Sequence, residues 1–305
     1  MMPLTSQPRF GAVITAMVTP FDDDGAIDLD SAASLARWLV NHGSDGLVLS
    51  GTTGEGPVLS DGERIELWRC VAGAVTVPVI AGTGTNDTRH SVKLTEEATA
   101  AGVDGVLVVT PYYNRPSQAG LYEHFTSVAG STDLPVVLYD IPVRTGRRID
   151  TDNLVRTARD SNNIVAVKDA TGDVASAARV IADTPDGFEL YSGEDSLTLP
   201  LLAVGAAGVI SVASHWAGQE FGDMIASFWN GDNDAAREQN AKLIPSYRFE
   251  STEKFPNPLP VKAACRAMGL GVGQCRPPMG AAPTELVEEA RRVVEDLSDS
   301  TSRGE

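Results

Sequence analysis

The chain has 305 residues, 42% of them hydrophobic and 21% charged, and a formal net charge of −17 at pH 7. This acidic balance disfavours nucleic acids and anionic membranes as partners. No apolar run reaches the roughly 18 residues needed to cross a bilayer, and the N-terminal residues contain no apolar segment of signal-peptide length. A cytoplasmic enzyme is therefore expected.

Short β-rich runs alternate along the chain with segments of helical periodicity. Such alternation predicts parallel strands joined by right-handed crossovers, and eight units predict a (β/α)8 TIM barrel. A doubly wound open sheet is the alternative, but it normally carries a glycine-rich phosphate turn after its first strand, and residues 19–22 offer none. The eight runs cover residues 12–18, 46–50, 77–81, 105–110, 135–139, 164–168, 189–191 and 208–212.

From about residue 232 the pattern changes to helices without strands, at residues 234–243, 259–268 and 284–297. The sequence thus predicts a catalytic barrel over residues 1–231 and a small, all-helical C-terminal domain over residues 232–305. The polar residues 298–305 are expected to form a disordered tail.

Neither a metal nor a cofactor is expected. The three cysteines lie far apart without a CxxC pair, and the four histidines do not cluster. No thiamine, pyridoxal or nicotinamide fingerprint is present, so a lysine of the chain would itself have to act as the electron sink.

Lys168 ends an apolar run that is typical of a strand buried on both faces. In a (β/α)8 barrel, catalytic groups lie at the C-terminal ends of the strands. Desolvation there lowers the pKa of an amine from its usual value near 10.4, which prepares a lysine to attack a carbonyl. The alternative is a structural lysine that snorkels or pairs with Asp169.

Other strand ends carry Thr52 and Thr53, Tyr113, and Tyr139 followed by Arg144. Taken singly, each has a structural explanation: a plain turn, loop packing, a core phenol with a polar tip, or a surface ion pair. Together with a lysine nucleophile they suit a keto acid bound as an imine. Hydroxyls would hold its carboxylate, a phenol would move protons, and the arginine would hold a second acid group.

These motifs resemble those of the dihydrodipicolinate synthase (4-hydroxy-tetrahydrodipicolinate synthase) family, class I pyruvate-dependent aldolase-like enzymes of bacterial lysine biosynthesis. The resemblance runs from residue 11 to about residue 297. It is carried by residues 51–55 (GTTGE), 111–114 (PYYN), 139–146 (YDIPVRTG), 167–169 (VKD), 257–262 (NPLPVK) and 275–278 (CRPP).

The resemblance implies that Lys168 forms a Schiff base with pyruvate and that the derived enamine attacks L-aspartate 4-semialdehyde. Thr52, Tyr139 and Tyr113 match the proton-relay residues of the family. Because the residue matching Tyr113 comes from a neighbouring subunit there, a homo-oligomer is implied, either a dimer or, as the resemblance favours, a dimer of dimers (a homotetramer).

The resemblance also assigns substrate-binding positions. Thr53 matches the residue that binds the pyruvate carboxylate, and Arg144 matches the one that holds the carboxylate of the semialdehyde. Gly193 and Ile210 correspond to positions whose backbone lines the pocket.

Some relatives are inhibited by lysine at a subunit interface, and this chain departs from them there. Asp61, Arg64 and His90 stand in place of two histidines and a glutamate, while Asn86 and Tyr112 remain. Weak or absent feedback inhibition by lysine is therefore expected.

Two other functions remain open at this stage. A sister aldolase, such as N-acetylneuraminate lyase or a keto-deoxy sugar acid aldolase, would share the lysine, the glycine-threonine loop and the tyrosine. A catalytically silent barrel that binds pyruvate or another metabolite would keep the same pocket. The arginine at position 144 and the paired tyrosines favour the synthase, because a polyhydroxy substrate needs more neutral hydrogen-bonding groups.

Overall fold

Eight parallel strands close into a barrel in sequence order, which confirms the predicted fold class. The structure is a computed structural model and describes residues 8–302. The strands are β1 (Val13–Ala16), β2 (Gly46–Leu49), β3 (Val79–Gly82), β4 (Gly105–Val109), β5 (Val136–Asp140), β6 (Ile164–Asp169), β7 (Glu189–Ser192) and β8 (Gly208–Ser211).

Helices follow the strands and cover the outside of the barrel. Their starts are set by local chemistry: the Ser60 hydroxyl accepts the N–H of Glu63, while the Glu63 carboxylate accepts the N–H of Ser60. These helices are α1 (Leu29–Asn41), α2 (Asp61–Ala72), α3 (Thr88–Ala101), α4 (Gln118–Ala129), the short α5 (Pro142–Thr145), α6 (Thr151–Asp160), α7 (Val174–Asp183), α8 (Thr198–Ala203) and α9 (Ser214–Trp229).

Three further helices follow without strands, as expected: α10 (Asn233–Phe249), α11 (Leu259–Ala267) and α12 (Thr284–Ser302). Their buried side chains share one hydrophobic cluster with the helices of the barrel, and Phe221, Leu243 and Val261 all belong to it. A domain boundary at residue 232 therefore stays a prediction.

Helix α12 extends to Ser302, beyond the predicted end of the last helix at residue 297. Disorder of the tail over residues 298–305 stays a prediction. No glycine or proline occurs between residues 284 and 302 to end the helix. Residues 1–7 of the predicted barrel domain and residues 303–305 of the tail lie outside the described residues.

A second hydrophobic cluster fills the interior of the barrel. It includes Phe10, Ile14, Val48, Val137 and Ile210, each at most 2% exposed. A packed interior leaves the C-terminal ends of the strands as the place for chemistry. Within residues 8–302, no helix is long and apolar enough to cross a membrane.

Candidate active site

Lys168 lies near the C-terminal end of β6, one residue before the strand ends. Its neighbours across the sheet are Tyr139 on β5 and Tyr191 on β7, and its side chain is only 5% exposed. The Nζ atom lies 4.6 Å from the centre of the Tyr139 ring. The carboxylate of Asp169 accepts the backbone N–H of Thr171, and it forms no ion pair with Lys168.

Burial is the main cause of an altered pKa at Lys168. Desolvation, and to a smaller extent the nearby Arg144, lower the pKa of the amine, while the acid groups of Asp195, Glu194 and Glu250 oppose the shift; the resulting pKa is about 8. At pH 7 about one amine in ten is then neutral, against about one in a few thousand for a free lysine. A neutral amine is the nucleophilic form.

Two acid groups that sequence reasoning assigned no role lie near this lysine. The Asp195 carboxylate accepts the Ser211 hydroxyl at 2.7 Å and the backbone N–H of Ala213 at 2.7 Å, which ties the end of β7 to the end of β8. Burial, together with the charge of Asp195, raises the pKa of Glu250 well above its usual range. Glu250 therefore favours its neutral form, and it is hydrogen-bonded to Asp195.

Tyr139 and Thr52 form a hydrogen-bonded pair of side chains beside the lysine. Tyr139 is 4% exposed, and burial raises the pKa of its phenol to about 12. The phenol therefore keeps its proton at neutral pH, so it can donate that proton and receive another through Thr52.

A cavity of about 330 Å³ opens at this end of the barrel. It brings together Thr52, Tyr139 and Arg144 as the sequence predicts, and Lys168 lies against the Tyr139 ring without forming part of the wall. Other side chains of the wall include Arg64, Tyr112, Asn257 and Arg276. Among the described side chains, no three His, Cys, Asp or Glu residues come together as they would around a metal ion.

Thr53 lies next to this wall in a tightly held loop. It is 2% exposed, and its Oγ1 accepts a hydrogen bond from the side-chain amide of Asn257 at 2.9 Å. The following carbonyl, of Gly54, accepts the Thr19 hydroxyl at 2.6 Å. Glu55 has a left-handed backbone with φ of +55°, which completes the sharp turn of the loop.

Gly193 packs directly against the side chain of Lys168. Its N–H donates to the Asp169 carbonyl at 2.7 Å, and a Cβ at this position would lie 3.0 Å from Cγ of Lys168. Ile210 is 1% exposed and packs in the same interior cluster as Tyr139. Neither Gly193 nor Ile210 lines the cavity itself.

Tyr113 does not line the cavity of its own chain. Its side chain is 91% exposed, and its φ of +73° is unusual for a residue other than glycine. Tyr112, its neighbour, lines the cavity instead.

The segment that leads into α11, and α11 itself, contribute residues at or beside the site whose roles were not predicted from the sequence. Asn257 lines the cavity, and Lys262 forms a buried ion pair with Glu55 at 2.7 Å. Both residues belong to the NPLPVK motif, but nothing in their spacing indicates contact with a loop about 200 residues earlier.

Comparison with known proteins gives a consistent result. The profile of the dihydrodipicolinate synthetase family matches residues 9–297. A 4-hydroxy-tetrahydrodipicolinate synthase from Moorella thermoacetica is 48% identical over 290 residues, which is 94% of this chain and 98% of that protein. A dihydrodipicolinate synthase structure from Bacillus anthracis superposes with a TM-score of 0.91 at 44% identity, covering 95% of this chain and 99% of that one. Another, from Cyanidioschyzon merolae with lysine bound, gives a TM-score of 0.93 at 39% identity, with coverages of 96% and 99%.

Proposed function

Since this chain belongs to the dihydrodipicolinate synthetase family, we propose that it condenses pyruvate with L-aspartate 4-semialdehyde, the activity of a 4-hydroxy-tetrahydrodipicolinate synthase. The observation that carries the proposal is the buried Lys168, whose pKa is lowered to about 8, set against a protonated Tyr139. This places the enzyme in diaminopimelate and lysine biosynthesis, for which we propose a cytoplasmic location.

In the first half of the reaction, the neutral Nζ of Lys168 adds to the keto carbon of pyruvate. The carbinolamine loses water with a proton from Tyr139, and an iminium then joins the lysine to the substrate. The positive nitrogen withdraws electrons, so that the methyl carbon can lose a proton and become the enamine. Thr52 is hydrogen-bonded to Tyr139 and passes protons to and from the phenol.

In the second half, the enamine carbon forms a bond to the aldehyde carbon of the semialdehyde, whose oxygen becomes a hydroxyl. Arg144 holds the carboxylate of this substrate, because a guanidinium matches a carboxylate in both charge and shape. The amino group of the semialdehyde then adds to the iminium carbon and displaces Lys168. Ring closure releases hydroxytetrahydrodipicolinate and the free lysine.

Thr53 is assigned to the carboxylate of pyruvate, and the backbones at Gly193 and Ile210 to the wall behind it. The support for Gly193 is steric, since a side chain there would press on Lys168. Small residues next to a covalent lysine leave room for the adduct that it carries.

We further propose that the working enzyme is a homo-oligomer in which the exposed Tyr113 completes the proton relay of a neighbouring copy. In support, Tyr113 is 91% exposed and lies outside the cavity of its own chain. A dimer is the smallest assembly that meets this requirement, and a dimer of dimers also does.

The decisive experiment traps the imine. Borohydride added to the enzyme with pyruvate should reduce the iminium, and mass spectrometry should then find one pyruvate-derived adduct, on Lys168. Lys168→Arg keeps the positive charge but should give no adduct, whereas Lys254→Arg, at an exposed lysine, should be labelled like the parent enzyme.

Addition of the semialdehyde before the borohydride should consume the adduct and restore free lysine. If no adduct forms, the chain is a silent binding barrel. If the adduct forms but turnover is faster with sialic acid than with the semialdehyde, the chain is a sister aldolase.

A further inference from the structure

We propose that Asn257 is a positioning residue that turns the hydroxyl proton of Thr53 toward the carboxylate of the bound keto acid. The residue belongs to the segment just before α11, outside the barrel strands, yet it lines the cavity and is only 6% exposed. This inference rests on the proposed function, because it concerns how the first substrate is held.

The direction of one hydrogen bond carries the argument. Asn257 Nδ2 lies 2.9 Å from Thr53 Oγ1, and an amide nitrogen can only donate. The Thr53 oxygen must therefore accept, which leaves its own proton free for a different acceptor. Among the described residues, the Thr53 hydroxyl donates to no other group, so a substrate oxygen can take that proton.

The opposite orientation of the amide is disfavoured by its surroundings. Asn257 Oδ1 is buried without a hydrogen-bond partner. Turning the amide over would put two N–H donors in the place of that oxygen. Unpaired buried N–H groups are rarer and more costly than an oxygen with unused lone pairs. The Thr53 oxygen is thus held as an acceptor, and its proton stays available to a ligand beside it.

Asn257 also contacts the arginine assigned to the second substrate, but through its main chain. Arg144 Nη2 donates to the Asn257 carbonyl at 3.3 Å. One residue therefore links the two groups that hold the two carboxylates, with the side chain serving Thr53 and the backbone serving Arg144. A change of the side chain alone should disturb the first contact and leave the second.

The approach of Asn257 to Thr53 is fixed by contacts on both sides of the loop. Two residues after Thr53, Glu55 forms the buried ion pair with Lys262 at 2.7 Å, and its other oxygen accepts the N–H of Arg276 at 2.9 Å. The C-terminal segment and the loop therefore hold each other at two points. Such preorganisation reduces the ordering that substrate binding must otherwise impose.

The test uses steady-state kinetics on the full-length enzyme. Asn257→Leu replaces the amide donor with an apolar side chain of similar size, so the Thr53 proton is no longer directed toward the substrate carboxylate. We expect the KM for pyruvate to rise about tenfold, the effect of losing one aimed hydrogen bond to a carboxylate, while the KM for the semialdehyde stays within about twofold.

A double-mutant cycle distinguishes positioning from direct action. Thr53→Val should raise the KM for pyruvate, and adding Asn257→Leu to it should cause little further change, because the group that Asn257 positions is already gone. If the effects of the two substitutions on the KM for pyruvate add up in the double variant, the inference is overturned.

Asn163→Leu is the matched control, since Asn163 makes three side-chain hydrogen bonds to backbone carbonyls far from the cavity. It should lower thermal stability and leave the KM for pyruvate unchanged. If Asn257→Leu does not fold, Asn257→Asp replaces it: a carboxylate only accepts, so the Thr53 proton would turn away from the substrate and the KM for pyruvate should rise at least as much.

The outcomes separate this inference from the proposed function. If the parent enzyme forms the pyruvate adduct but the Asn257 variants keep its KM for pyruvate, the inference alone fails. If the parent enzyme forms no adduct, the proposed function fails and takes the inference with it.

Discussion

Two features of the surroundings of Lys168 have opposite effects on its pKa: the amine is buried away from water, and acid groups lie close to it. Burial favours the neutral amine, whereas Asp195 favours the ammonium. The balance at a pKa of about 8 keeps a useful neutral fraction without making the amine a poor base.

The pH dependence of adduct formation follows from this balance. The neutral fraction of Lys168 should rise as pH increases, so the rate of adduct formation at limiting pyruvate should increase and level off above an inflection near pH 8, the pKa of this amine being lowered to about 8. Stopped borohydride trapping across the pH range measures this profile.

The substitution Asp195→Asn tests the electrostatic part of this pKa shift. It removes the charge that most strongly supports the ammonium, so the inflection should move to lower pH. An inflection that moves to higher pH would contradict the assigned cause of the shift.

At the scale of single elements, the ends of neighbouring strands decide how much space the lysine has. Strand β7 ends at Ser192, and Gly193 then turns its backbone N–H to the end of β6. A side chain at position 193 would therefore press on Lys168 and on the end of β6.

Gly193→Ala should therefore reduce catalysis far more than stability. The added Cβ would lie 3.0 Å from Lys168 Cγ and 3.0 Å from the Asp169 carbonyl, so the lysine must shift by a few tenths of an ångström. Because such displacements of a reacting group are costly, we expect kcat to fall on the order of tenfold to a hundredfold. Gly222→Ala in α9 is the control, since its Cβ meets nothing within 4 Å; equal losses in both variants would refute the steric explanation.

At the scale of the whole molecule, a buried ion pair joins the barrel to the C-terminal helices. Glu55 and Lys262 are 4% and 2% exposed, and Lys262 also lies 4.0 Å from the centre of the Phe21 ring. Removing one partner of such a pair leaves an uncompensated charge in a dry place.

Lys262→Met should therefore lower the free energy of unfolding by about 3 kcal/mol or more. The double variant Glu55→Gln/Lys262→Met should recover part of this loss, because no charge remains unpaired. Urea unfolding measures both. If the double variant were no more stable than Lys262→Met, the explanation by an unpaired charge would be wrong.

Regulation is a second property of the whole molecule. Five positions were compared above with lysine-inhibited relatives, and among them only Asp61 carries a carboxylate. This carboxylate already pairs with His90 at 2.8 Å and with Lys93 at 3.1 Å. Arg64 is buried and donates to the Gly56 carbonyl at 2.6 Å. The ammonium group of a lysine ligand thus finds no free acid group among these five side chains.

We therefore expect little inhibition when L-lysine is titrated into the steady-state assay. The Cyanidioschyzon merolae relative has lysine bound in its structure, so it serves as the lysine-binding reference in the same titration. Half-inhibition of this enzyme at sub-millimolar lysine would refute the expectation.

The sequence alone determined the barrel and the ends of its strands. Strand and helix periodicities are local, and parallel strands in a closed barrel must end at one face, so the sequence predicts that Lys168, Tyr139, Thr52 and Arg144 lie together. The last helix extends to Ser302 and not only to residue 297, because nothing in those polar residues ends a helix.

Only the tertiary structure decided which distant side chains support that face. Asn257 meets Thr53 across 204 residues, Glu250 reaches Asp195 from the end of α10, and Tyr113 turns away from its own cavity. Such contacts depend on how packed helices meet the mouth of the barrel, and packing between elements far apart in the chain leaves no periodic signal in either one.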